Sequence, residues 1–172
     1  MLTGTSPAVL ADRVVVVALG NPDRSDDGVG PAVIRALEPR PNVEVWEAIK
    51  GGLPLAHALV GFPRALIVDA APFLPVGEVA LFPLIPTLSH GGERGRGETL
   101  PRSRGGPGAG WPHGLGLARA LAALRAAGLD IPEAWALGIG IPPDPPFRRG
   151  LSPEVRRAVP RAVAEVRRWL MS

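Results

Sequence analysis

Cysteine is absent from the 172 residues. That removes thiolate nucleophiles, disulfides and cysteine-ligated zinc or iron–sulfur centres from the chemistry open to the chain. A metal would have to be held by carboxylates and the three histidines, His57, His90 and His113. Lysine is nearly absent as well: Lys50 stands alone against a surplus of arginine. The arginines lift the isoelectric point, yet the formal net charge is only +3, too weak a field to mark a nucleic-acid binder. Long apolar runs are missing; none approaches the roughly 20 residues that cross a bilayer. Met1 to Asp12 have neither the basic start nor the apolar centre of a secretion signal and read as a short leader before the first strand. The expectation is a thiol-free cytoplasmic protein without nucleic acid or membrane among its partners. No HExxH zinc motif and no evident Ser–His–Asp arrangement is found.

What is present suits one domain over 1–172. Hydrophobic residues make up 46% of the chain, enough for one core without covalent staples. The 22 Gly and 21 Pro read as a compositional bias. Val14 to Leu19 is a continuous β-branched and apolar run, the pattern of a strand buried on both faces. Gly20 to Gly28 is rich in turn formers. Val29, Val33, Ile34 and Leu37 then fall on one face of a helix ending near Pro39. Val43 to Glu47 alternates as a second strand, Gly51-Gly52 breaks the chain, and Pro54, Leu55, Leu59 and Val60 mark a short helix. Ala65 to Val68 reads as a third strand stopped by Asp69, and Glu78 to Phe82 as a fourth. Ser89 to Gly110 has almost nothing to bury and is expected to form a flexible loop. Leu115 to Ala127 reads as a helix stopped by Gly128, and Ala134 to Ile141 as the last strand. Ser152-Pro153-Glu154 opens the final helix with Ser as N-cap. Val155, Val159, Val163, Val166 and Leu170 form its stripe, and Pro160 is expected to kink it or to be accommodated with a local loss of hydrogen bonding. Strands alternating with helices imply an α/β three-layer sandwich: a mostly parallel twisted sheet with helices on both faces.

In such sheets, sites form outside the carboxyl ends of the strands. Asp26-Asp27 fall there after the first strand, and Asp69 after the third. A carboxylate before a helix is ordinarily a cap, and one after a strand is ordinarily a turn residue. His113, placed just ahead of a helix, can also be a cap. Two carboxylates and an imidazole from loops at one sheet edge nevertheless suit a divalent metal that takes mixed oxygen and nitrogen ligands: nickel, zinc, manganese or iron.

Several segments, in order, resemble the hydrogenase maturation endopeptidases. Ala18-Leu19-Gly20-Asn21-Pro22 through Asp26-Asp27-Gly28-Val29-Gly30 is similar to their opening signature. Ile67-Val68-Asp69-Ala70 is similar to their second acidic motif, and Trp111-Pro112-His113-Gly114-Leu115-Gly116-Leu117 to their Pro-His-x-Leu-x-Leu motif. Gly138 to Pro143 and Gly150 to Val155 resemble the closing strand and last helix, so the likeness runs from Val14 to Leu170. The resemblance implies a phosphorylase/hydrolase-like fold. It also implies an enzyme that removes the C-terminal extension of a nickel–iron hydrogenase large-subunit precursor once nickel has been inserted. Asp27, Asp69 and His113 match the family's metal-contacting positions and are the expected catalytic and metal residues. Asn21, Asp26, Gly51 and Gly52 are the expected substrate-binding positions. The nickel would arrive with the precursor, other divalent metals could stand in for it in vitro, and the protease is expected to act as a monomer. Many members carry Glu where Asp27 stands, and many have an acidic residue before a Gly-Gly-Thr turn where this chain has Lys50-Gly51-Gly52-Leu53.

Two other readings compete. Leu19-Gly20-Asn21-Pro22 also resembles the first loop of peptidyl-tRNA hydrolases, but those need a histidine soon after, where this chain has Asp26-Asp27. A non-catalytic nickel-sensing or partner-binding maturation factor would use the same residues without cleavage. Gly28-Val29-Gly30 is a poor nucleotide loop, because a phosphate there would meet the acidic pair.

Overall fold

The run from Val14 forms β1 (Val14–Leu19), and every residue after the first is buried. It is flanked in parallel by β2 (Val43–Ala48) and by β3 (Arg64–Ala71). Beyond β3 lies β5 (Glu133–Gly140), also parallel, and at the edge β4 (Val79–Pro83), which runs antiparallel to β5. The strand order is β2-β1-β3-β5-β4. The computed structural model describes residues 13–84 and 112–172, and of 112–115 the backbone alone. The expected leader and the expected loop of Ser89 to Gly110 lie outside the described residues.

Alternate side chains of a strand leave on opposite faces, and the sheet sorts its core that way. Val16, Ala18, Leu66, Val68, Leu137 and Ile139 face α1 (Val29–Arg35) and α4 (Pro153–Met171). Val15, Val17, Leu19, Ala65, Ile67 and Ala136 face α2 (Leu53–Ala58) and α3 (Pro112–Ala126). Helices therefore cover both faces, as the alternation of elements predicts. A buried Val, Leu or Ile contributes about 1.5–3 kcal/mol, so the two layers of aliphatic residues suffice without a disulfide.

Three boundaries and one buried face differ from the sequence reading. α1 ends at Arg35 instead of near Pro39; the residue before a proline is driven out of the helical region, and the chain leaves the helix earlier still. β3 does not stop at Asp69 but continues through Ala71, because Asp69, Ala70 and Ala71 stay in register with Gly138, Ile139 and Gly140 of β5. α3 begins at Pro112, a residue suited to a first turn, so His113 lies inside the helix and not ahead of it. In α4 the buried face is Val155, Ala158, Ala162, Val163, Val166 and Trp169, a stripe turned toward alanines and Trp169. Val159 and Leu170 only pack at its margin. Pro160 lies within the helix, on its exposed side.

Candidate functional site

The carboxyl ends of β1 and β3 carry the acidic residues singled out above. After β1 the chain turns at Gly20, whose φ is 131°. A Cβ there would collide with the carbonyl oxygen of Asp27, so the loop closes back on the strand end only with glycine. A short 3-10 turn, Ser25–Gly28, follows and leads into α1. The Asp27 carboxylate is held over the strand end, its Oδ2 accepting the Asn21 N–H at 2.9 Å. Neither the 3-10 turn nor α1 has a side-chain cap. The ordinary explanation of an acid at this place, capping by a side chain, is thus not what Asp27 does.

Asp69 is fully buried within β3. Its Oδ1 accepts the N–H of Ala70 at 2.8 Å. Strand alternation puts it on the face of Ala65 and Ile67, the face covered by α2 and α3. Its register partner on β5 is Gly138, so β5 sends no side chain beside the carboxylate. The turn that carries Asp26 and Asp27 packs on β3, which brings the two acidic segments together at one sheet edge. His113 lies in the first turn of α3, on the helix that covers the Asp69 face; its imidazole lies outside the described side chains. Among the described residues no group of three His, Asp or Glu side chains assembles as a metal cluster. His57 is exposed on α2.

The remaining expected residues are placed as follows. The Asn21 side chain accepts from the Asp23 N–H through Oδ1 at 2.9 Å, which shapes the loop. Asp26 is 3% exposed and its Oδ1 accepts the Ser152 N–H at 2.6 Å, tying the turn to the start of α4. Gly51 and Gly52 are half-buried after β2. Gly52 has φ 99° and its carbonyl accepts from Ala56 N at 3.0 Å, starting α2.

A cleft of about 530 Å3 opens at this edge, lined among others by Asn21, Asp23, Gly28, Ile49 and Arg149. Ile49 is 61% exposed, an apolar residue at the end of β2. Ion pairs stand at the cleft: Arg149 Nε to Asp23 Oδ1 at 2.7 Å, and Arg35 through Nε and Nη2 to the two carboxylate oxygens of Glu47 at 2.8 and 2.6 Å. The hydrogen bond and charge of Glu47 raise the Arg35 pKa above its ordinary value. Ile49 and the Arg148-Arg149 pair carry no signal in the sequence reading. The latter reaches the site from more than 120 positions away, and the only local hint is its place just before the Ser152 cap.

No family model and no curated protein matches the sequence. Solved structures do. The NiFe hydrogenase maturation protease HybD from Thermococcus kodakarensis is 27% identical, with 91% of this chain and 98% of that one covered and a TM-score of 0.64. The hydrogenase maturating endopeptidase HybD from E. coli is 23% identical over 90% and 89%, with a TM-score of 0.65. The protease HycI from Thermococcus kodakarensis is 18% identical over 96% and 98%, with a TM-score of 0.60.

The fold is that of the hydrogenase maturation proteases. The resemblance read from the ordered motifs and the likeness read from the backbone point to the same fold, the latter over 90% to 96% of the chain. No helix among the described residues is long and apolar enough to cross a membrane.

Proposed function

We propose that this chain is an endopeptidase that trims the C-terminal extension from the large-subunit precursor of a nickel–iron hydrogenase. It would act in the cytoplasm, as a monomer, on the precursor that already holds nickel. The observation that carries the reading is the meeting of the Asp26-Asp27 turn with β3 at the carboxyl edge of the sheet, in a fold shared with proteins described as hydrogenase maturation proteases.

In this reading Asp27, Asp69 and His113 contact the nickel that the substrate brings. Two carboxylates and an imidazole are suitable ligands for a borderline divalent ion, and three protein ligands leave positions for groups of the precursor. His113 binds as neutral imidazole. The Asp27 carboxylate has one oxygen engaged by the Asn21 N–H and the other without a hydrogen bond among the described residues, so it retains a free lone-pair face for a metal. The negative charge favours a precursor carrying a cation over an empty one, which makes discrimination a difference of two affinities. The cleft beside Asn21 and Ile49 suits an extended polypeptide, since it pairs an apolar wall with charged rims. Water activation requires a base near the scissile carbonyl, and a carboxylate of the site is the group available for it.

The test is to incubate the protein with nickel-loaded and nickel-free precursor and weigh the products. Loss of the extension from the loaded precursor alone is the expected result. No mass change in either, or equal trimming of both, overturns the reading.

A further inference from the structure

Asp26 and Asp27 are neighbours on one short turn, yet they are used differently. Successive residues of a 3-10 turn are rotated by about 120°, so the two carboxylates cannot share a direction. Asp27 turns back to the end of β1, where Asn21 donates to it. Asp26 turns inward and accepts from Ser152 N at 2.6 Å, a short contact from a backbone donor to a carboxylate.

Asp26 is not alone in this. Ser25 is 1% exposed; its N–H donates to the Arg148 carbonyl at 2.6 Å and its hydroxyl to the Gly150 carbonyl at 3.2 Å. Its φ is 47°, a left-handed conformation that a side-chain-bearing residue keeps only where its surroundings enforce it. Asp23 accepts from Arg149, and the Arg24 guanidinium lies 4.8 Å from the centre of the Phe147 ring. Each residue from Asp23 to Asp26 is thus fastened to the stretch from Phe147 to Ser152. Asp27 is the next residue along. A buried carboxylate is a costly way to close a loop, and a flexible closure would leave the following side chain free to wander.

We infer that Asp26 and Ser25 are positioning residues: by clasping the acidic turn to the start of α4, they hold the Asp27 carboxylate in its working place. The inference rests on the proposed reading of Asp27 as a metal-contacting group. Misplacing a reacting group by about 1 Å lowers a rate on the order of 100-fold, and that is the loss expected when the clasp is opened.

The test reads Asp27 through its hydrogen-bond donor. The backbone amide of Asn21 is followed by NMR in the folded protein, and Asp27→Asn calibrates how far its proton shift moves when the carboxylate is altered. Asp26→Ala is expected to move the Asn21 amide as well and to speed its hydrogen exchange. Asp26→Asn keeps an acceptor oxygen for Ser152 N and restores both. Ser152→Ala removes only the cap hydroxyl that Val155 N uses and is expected to leave the Asn21 amide where it is. In the precursor assay, Asp26→Ala lowers kcat on the order of 100-fold with KM little changed, and Asp26→Asn recovers most of it. A merely structural Asp26 would lower the melting temperature without moving the Asn21 amide; a folded Asp26→Ala protein with that amide unchanged overturns the inference. Should Asp26→Ala fail to fold, Ser25→Ala takes its place: it deletes the bond to the Gly150 carbonyl, and an unmoved Asn21 amide there overturns the inference equally. The amide needs no precursor, so it judges the clasp by itself. Normal trimming by an Asp27→Asn protein would count against the proposed function and not against the clasp.

Discussion

Gly30 stands in the first turn of α1, where that helix crosses the ends of β1 and β3. A Cβ added there would lie 2.7 Å from the carbonyl oxygen of Val68 and closer still to that of Leu19. Even a C–H pointed at a carbonyl keeps the carbon about 3.3–3.6 Å away, so in Gly30→Ala the helix must retreat by roughly 0.6 Å or more from both strands. Two effects oppose each other. Alanine favours a helix over glycine by about 0.5–1 kcal/mol. Overpacking a tight contact costs about 1–3 kcal/mol, and here the obstacle is backbone of two central strands, which cannot swing aside. The clash therefore wins, with a net loss of about 2 kcal/mol and a melting temperature lower by about 4–8 °C for a chain of this size. Urea unfolding measures it. Gly116→Ala is the matched control: Gly116 lies exposed in α3 with open space around its Cα, and the same change should stabilise by about 0.5–1 kcal/mol. Because α1 begins two residues after Asp27, its retreat should also slow trimming of the precursor. A Gly30→Ala protein as stable as the parent, or more so, would refute the close-packing argument for the Gly-x-Gly motif.

Other outcomes follow from single contacts. Pro160→Ala restores a backbone donor inside α4 and should stabilise by about 1–3 kcal/mol, read as a higher urea midpoint. Arg64→Ala removes a guanidinium 4.3 Å from the Trp169 ring centre and its bond to the Trp169 carbonyl at 3.0 Å. It should destabilise by about 1–2 kcal/mol, seen in the same unfolding experiment with trimming of the precursor unaffected.

The layered architecture was legible because its signals are local. Val14 to Leu19 can hardly be anything but a doubly buried strand, and Ser152-Pro153-Glu154 announces a helix start. The acidic loop and Asp69 were legible as positions at one sheet edge because a parallel sheet gathers its strand ends there. Asp69 itself was misread as the end of its strand. A polar residue ordinarily marks the exit from a core, and only the pairing with Gly138 to Gly140 shows that β3 runs on past it. The antiparallel course of β4 leaves no mark in Val79 to Pro83, since alternation looks the same in either direction. The partition of Asp26 from Asp27 was not readable either. It depends on Ser152 and on Arg148 to Gly150, which meet the turn only after the whole sheet has formed.

The central claim is that Asp27, Asp69 and His113 act together on the nickel of the precursor. The direct measurement is the product mass from nickel-loaded precursor treated with Asp27→Asn, Asp69→Asn or His113→Ala, each first checked for parental circular dichroism. The two Asn variants are near-isosteric, and Asn at 69 still offers an oxygen to the Ala70 N–H, so the fold should survive. The account predicts that the precursor keeps its full-length mass with all three variants while the parent protein removes the extension. Trimming at the parental rate by Asp27→Asn and His113→Ala would contradict it and leave those side chains with a structural role alone.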